Sequence, residues 1–333
     1  MAIDRNGAGV RQDAPAADQA ARVPGGAADK PVQIPARGWW QILRRAWAEA
    51  KADQVPLLAA GVAFFAFLSL FPAMIAAVMA YGLIADPGQI RSQAEDLAAA
   101  MPSSARDLLL QQVDALTSAP RQSLGIGLVI ALAIALWSAS GGVGYLITAV
   151  NMAYDEDETR GFVRRKGLAL TLTLGTIVFV LLAAALLAVG PAIIGDNEVS
   201  TPIRVLVEGG RLILAVVLIS VALATMYRLA PDRDAPRVRW VSIGAAVATI
   251  IWLLASIGFS VYVATFGNYA KTYGSLAAVV VLMLWLWLSA YAVLLGAEIN
   301  AESEGQTIRD TTRGAPQPLG RRGAVKADSV PPS

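Results

Sequence analysis

The stretch GLALTLTLGTIVFVLLAAALLAVGPAIIG (167–195) runs without a single Asp, Glu, Lys or Arg. Between Ala169 and Val189 it carries about a dozen Leu, Ile, Val and Phe residues. Each contributes roughly −0.3 to −0.6 kcal/mol near the centre of an inserted helix, so insertion into a bilayer is favourable before polar costs are counted. Five more charge-free stretches accompany it, at 54–85, 122–154, 212–227, 240–270 and 272–297, and the six make up about half of the 333 residues. A bilayer core needs about 20 apolar residues per helix. Charged residues are only 16% of the chain, where a soluble domain carries about 25%. The fold class is therefore all-α, a polytopic membrane protein, and both a soluble globule and a disordered chain are excluded.

Six spans are predicted, at about 57–84, 124–150, 168–190, 205–229, 241–265 and 275–299, within a membrane domain covering 37–302. The fourth is the shortest between charges, with Arg211 and Arg228 as its bounds. Thr201 and Pro202 let that helix begin outside the hydrocarbon, and the two arginines can snorkel to opposite interfaces. Six spans leave both termini on one side. Fourteen basic residues near the spans fall on that side, in 37–51, 160–166, 228–239 and 309–313, against six on the other. The positive-inside rule then puts both termini in the cytoplasm.

Outside the spans, residues 1–36 and 303–333 read as disordered cytoplasmic tails, rich in Ala, Gly and Pro. No apolar run follows a basic start, so no cleaved signal peptide is expected. The segment GWWQILRRAWAEAKAD (38–53) sets Trp39, Trp40, Leu43 and Trp47 at helical spacing among Arg44, Arg45 and Lys51. It reads as an interfacial N-terminal helix, or as one packed on the protein's own cytoplasmic face. The external segment 86–122 reads as a hairpin of two short amphipathic helices, with Asp86-Pro87 and Ser104…Asp107 as start signals. Its apolar faces need either the outer leaflet or the tops of the spans.

The absence of Cys and His removes disulfides, thiol nucleophiles, Cys-ligated metals and imidazole chemistry. No catalytic residue, metal site or cofactor is predicted. No span carries a central charge, the usual mark of an ion pathway. Span one contains Ser69 and Pro72, and the proline is expected to kink it. Span two contains WSASGGVGYLI (137–147), with Ser140, Gly141, Gly142 and Gly144. No strand precedes this run and no Lys follows, so it is not a phosphate-binding loop. Close helix packing through Ser140 and Gly144 is one reading, and a locally unwound lining segment is the other. At the cytoplasmic ends, Asn151, Arg160, Arg228, Glu298 and Asn300 fall at similar depth. Glu298 follows 26 uncharged residues and could pair with Arg228 or Arg160, or serve a polar vestibule for a headgroup or ion.

Four segments carry a resemblance: LLAAGVAFFAFLSLFP (57–72), NMAYDEDETRGFVRRK (151–166), YRLAP (227–231) and YGSLAAVVVLMLWLWLSAYAVLLGAEINAE (273–302). In order and spacing they resemble the YihY/BrkB family of bacterial inner-membrane proteins, over about 39–302. Gly161 departs from the pattern, since relatives often have Pro there. The resemblance implies a six-span cytoplasmic-membrane protein. Some relatives carry a virulence label and others an older ribonuclease label, ribonuclease BN. A nuclease is disfavoured here, because the chain lacks His, a carboxylate constellation in a soluble domain, and a basic groove interleaved with aromatics.

The function expected is that of a transporter or flippase for a lipid or amphiphilic envelope component. The alternatives are a non-transporting scaffold in an envelope complex and a small-solute or ion transporter using Glu298. The expected partners are membrane lipids and an envelope-complex protein, with no nucleic acid.

Overall fold

The structure is a computed structural model that describes residues 18–84, 121–194, 201–266 and 275–330. Helix dominates it, and no strand occurs among the described residues. The long elements are α1 (Ala36–Ala52), α2 (Val55–Ile84), α3 (Arg121–Ala153), α4 (Phe162–Ile194), α5 (Thr201–Leu229), α6 (Val238–Phe266) and α7 (Ser275–Glu304), with a short α8 (Val325–Asp328) near the end. Four helices among the described residues are long and apolar enough to cross a membrane, over Ile126–Ala153, Val205–Leu229, Val238–Val263 and Val279–Glu304. A fifth is counted if α1 and the start of α2 form one bent span. The segments predicted as spans one and three lie inside the continuous helices α2 and α4. The predicted external hairpin at 86–122 falls almost wholly outside the described residues.

Two left-handed residues punctuate the helices. Gln54 has φ +54° and separates α1 from α2, which meet at 65°. Its amide still bonds Lys51 O, while its carbonyl accepts from Leu57 and Leu58, so one residue closes one helix and opens the next. Asp155, with φ +56°, ends α3 in the same way, where Asn151 O receives the amides of both Tyr154 and Glu156.

The chain divides into two compact units, Met1–Ala63 with Val143–Ser333, and Phe64–Gly142. In the first, α7 packs along α6 and α1, α6 along α5, and α5 along α4. The contact between α6 and α7 is built on small residues. A Cβ at Gly296 would meet the Tyr227 hydroxyl and come within 2.6 Å of Ala248 Cβ, and one at Gly244 would strike Gly296 O. Around this crossing Tyr154, Tyr227, Ile147, Leu294 and Val241 are fully buried. A second cluster joins Ile34, Ile42 and Trp240. In the other unit, Phe65 rests on Gly141 and Gly142, with a Cβ at Gly142 placed 3.4 Å from Ala66 N.

Both segments expected to be tails are folded where they are described. Residues 18–22 are helical, a 3-10 turn follows at Pro31–Gln33, and Ala20, Val23, Ala28 and Ile34 are buried. Residues 303–330 run back over the helix ends. Ile308 N bonds Gly26 O, Arg313 N bonds Ala235 O, and Asp234 N bonds Gly323 O. Composition suggested disorder because this segment has little apolar surface to bury. It is held instead by single long-range polar contacts, which leave no periodic trace in sequence.

Candidate functional site: the polar helix ends

Of the five polar residues that the sequence sets at similar depth, the structure places Asn151 and Arg160 in one loop clamp and Asn300 at a helix crossing, and leaves Glu298 outside both. Asn151, on the last turn of α3, is buried. Its Nδ2 donates to Glu158 (3.0 Å) and its Oδ1 accepts from Asp232 N (2.8 Å). Arg160 makes a two-pronged pair with Glu158, at 2.7 and 2.8 Å, and donates to Ala230 O. Asp232 in turn accepts from the amide and hydroxyl of Thr159, at 2.7 and 2.6 Å. These bonds clamp the α3–α4 loop to the α5–α6 loop. Burial alone would raise the Asp232 and Glu158 carboxyls; the Thr159 bonds at Asp232 and Arg160 at Glu158 outweigh it and hold both below their ordinary values.

Asn300 is a helix-crossing residue. Its Oδ1 accepts from Gly244 N (2.8 Å) and its Nδ2 donates to Val241 O (3.2 Å). Glu298 is 1% exposed, yet among the described residues neither carboxylate oxygen has a hydrogen-bond partner. The expected pairing with Arg160 or Arg228 does not form. Glu158, two residues away, takes Arg160, and no ion pair of Arg228 occurs among the described residues.

A second polar network joins residues that the sequence reading did not put in the candidate site. Glu302 accepts from Arg45 Nε (2.6 Å) and Lys326 Nζ (2.8 Å). Lys326 also reaches Asp155 (2.7 Å). Burial would depress the Lys326 ammonium, but the Glu302 and Asp155 carboxylates outweigh it and raise the pKa. Glu304 accepts from Arg233 (2.7 Å) and from Thr311 (2.6 Å), while the Arg233 guanidinium lies 4.4 Å from the Tyr154 ring centroid. Arg322 donates to Ile308 O. The 303–330 segment is thereby pinned to α7, to the α3–α4 loop and to the α5–α6 loop. The one available signal was the alternation of acids at 298, 302 and 304 with basic residues far away in the chain, which gives no pairing by itself.

The positions named for helix breaks or lining behave differently from one another. The α2 assignment runs through Ser69 and on past Pro72, and α3 runs unbroken through Ser140, Gly141, Gly142 and Gly144. The unwound reading of 137–147 is therefore replaced by a continuous helix. Ser69 donates to Ala66 O and Ser140 to Trp137 O, so these hydroxyls satisfy their own helices. Gly141 and Gly142 pack on Phe65, whereas a Cβ at Gly144 would have no described atom within 4 Å. Trp137 and Tyr145, on the same helix, are exposed. A cleft of about 410 Å³ opens at the start of α4, lined by Thr159–Arg164 and Asp232. No group of side chains able to hold a metal ion occurs among the described residues.

Comparison with known proteins gives a family. The family profile described as Virulence factor BrkB matches residues 46–319. The ribonuclease-like protein YfkH of Bacillus subtilis strain 168 is 30% identical over 250 residues, covering 73% of this chain and 87% of that protein. A UPF0761 membrane protein of Tolumonas auensis is 38% identical over 109 residues, 32% of this chain and 35% of its own. Another, from Aliivibrio salmonicida, is 36% identical over 131 residues, 39% and 41% of the two chains. No solved structure matches. The chain belongs to the virulence factor BrkB family and is a multi-pass membrane protein.

Proposed function

We propose that this BrkB-family chain moves or handles a lipid or other amphiphilic envelope component in the bacterial cytoplasmic membrane. In this reading it has six spans, α2 to α7, with both termini cytoplasmic and the 86–122 hairpin outside. The observation that carries it is the surface of α3. There a Cβ at Gly144 would meet no described atom within 4 Å and the neighbouring Tyr145 is exposed, while the close helix contact that glycines usually serve is made elsewhere, at Gly244 and Gly296. An open glycine lets a headgroup approach the helix backbone, and acyl chains can stay in the surrounding lipid. No central charge is needed for such a passage. The protein acts without enzymatic chemistry, and the ribonuclease-like name of the Bacillus relative is not carried to this chain. The test is reconstitution with leaflet-labelled phospholipid and an impermeant headgroup quencher, beside protein-free vesicles and an unrelated six-span protein. Quenching beyond the outer-leaflet fraction supports the reading, and a plateau equal to both controls removes it.

A second reading has its own observation. Glu298 is buried with neither oxygen bonded among the described residues, a costly arrangement that a transported cation or polar solute would relieve. Under it, Glu298→Gln abolishes solute flux in vesicles; unchanged flux eliminates it.

A further inference from the structure

The outward face of α1 carries an arrangement that neither the packing nor the family accounts for. Its inner face is settled: Ile42, Ala46 and Ala50 are buried, α1 packs along α7, and Arg45 is held by Glu302 and Gln306. On the other side Trp40 is 70% exposed, Trp47 51% and Leu43 43%. The exposed cations Arg37, Arg44 and Lys51 flank them at the same helical spacing, with Lys51 Nζ 5.4 Å from the Trp47 ring centroid. Two large indoles left half or more exposed are unfavourable in water, and tryptophan beside basic residues fits the boundary between headgroups and acyl chains.

What covers this face follows from its connection. Only Asp53 and Gln54 separate α1 from α2, the predicted first span, and the two helices meet at 65°. A 17-residue helix that turns this sharply at a span's mouth lies closer to the membrane plane than to its normal. It cannot move away from the leaflet, because the span anchors one end and α7 its inner face. We infer that the outward face of α1 is a docking surface for anionic phospholipid of the leaflet it lies on: Trp40, Leu43 and Trp47 enter the boundary, and Arg37, Arg44 and Lys51 take the phosphates. Attraction of a basic side chain to an anionic leaflet amounts to about fivefold in association. The leaflet is cytoplasmic under the orientation given in Proposed function, on which that one detail rests.

The chain has no cysteine, so a single bimane at Leu43→Cys reports this face alone. Full-length labelled protein is reconstituted in phosphatidylcholine with equal mole fractions of brominated phosphatidylglycerol or brominated phosphatidylcholine. The brominated anionic lipid is expected to associate at least about fivefold more strongly, with the preference vanishing in Arg37→Gln/Arg44→Gln/Lys51→Gln. These exposed substitutions leave the helix packing intact, which thermal unfolding verifies. Equal quenching by both lipids in the unsubstituted background overturns the inference, as does quenching by aqueous iodide alone. A second label at Arg313→Cys, tested with an impermeant quencher, reports orientation separately. If it lies outside, the assigned leaflet is wrong, while the lipid preference at Leu43 is decided by its own measurement.

Discussion

Replacing Glu304 by Gln removes one charge from a pair in which both side chains are completely buried. Arg233 then keeps its charge with Nε and Nη1 already unpartnered among the described residues, facing a neutral amide, the Tyr154 ring and the more distant Glu156 carboxylate in place of its charged partner. Breaking such a pair by removing one partner costs about 3–5 kcal/mol. The cost falls on the 303–330 segment, because Glu304 also receives the Thr311 hydroxyl, and Thr311 O receives the amide of Arg237. Hydrogen exchange of the amides of Arg237, Ile308 and Arg313 measures the opening of this segment. At about 1.4 kcal/mol per factor of ten, exchange should accelerate by roughly two to three and a half powers of ten, while amides in the middle of α7 stay near their starting rates. Replacing both partners, as in Arg233→Met/Glu304→Leu, should recover most of the protection, since removal of both charges ends the desolvation cost. Acceleration of Glu304→Gln by less than about tenfold would refute the view that this pair closes the segment.

Three further outcomes follow from the same geometry. Because Asp232 and Glu158 are held below their ordinary values of 3.8 and 4.5, the loop clamp is stabilised above those values and loses that stability as pH falls through the lowered ones. The Thr159 and Asp232 amides should therefore lose protection below about pH 4, and Asp232→Asn should show the loosened exchange already at neutral pH. Lys326 behaves in the opposite sense: its raised pKa gives stability that is complete below its ordinary value of 10.5 and lost as pH rises through the folded one. Lys326→Gln should expose the 320–330 stretch to protease at neutral pH, and unchanged cleavage would show that the bridge to Glu302 and Asp155 contributes nothing. Gly296→Ala should lower thermal stability in detergent by about 1–3 kcal/mol through overpacking, whereas Gly144→Ala should stay within about 0.5 kcal/mol; equal effects would contradict the assignment of the close crossing.

The helices were legible because insertion energetics depend on composition over some twenty residues, and charge-free runs such as 272–297 leave little freedom. Asn151, Arg160 and Asn300 were visible in the sequence as polar residues at or beside the predicted span ends. Their partners were not. Arg160 is taken by Glu158 two residues away, inside the loop that follows α3. The close crossing at Gly244 and Gly296 sits in stretches where glycine is isolated, while the conspicuous cluster at 141–144 drew attention and is divided between contact with Phe65 and open surface. The folded ends were missed for a different reason. Residues 303–330 bury Gln306, Thr307, Thr311 and Arg322 through bonds to backbone carbonyls and distant carboxylates, and no hydropathy pattern encodes such contacts.

The proposal that this chain carries lipid across the bilayer meets its most direct test in one comparison. Unsubstituted protein and Gly144→Trp are reconstituted at equal density with headgroup-labelled phosphatidylglycerol, and an impermeant quencher is added. Lipid passage along α3 predicts quenching past the outer-leaflet fraction for the unsubstituted chain and slowed quenching for Gly144→Trp, with thermal stability unchanged. Identical traces for the two proteins and for protein-free vesicles would contradict it.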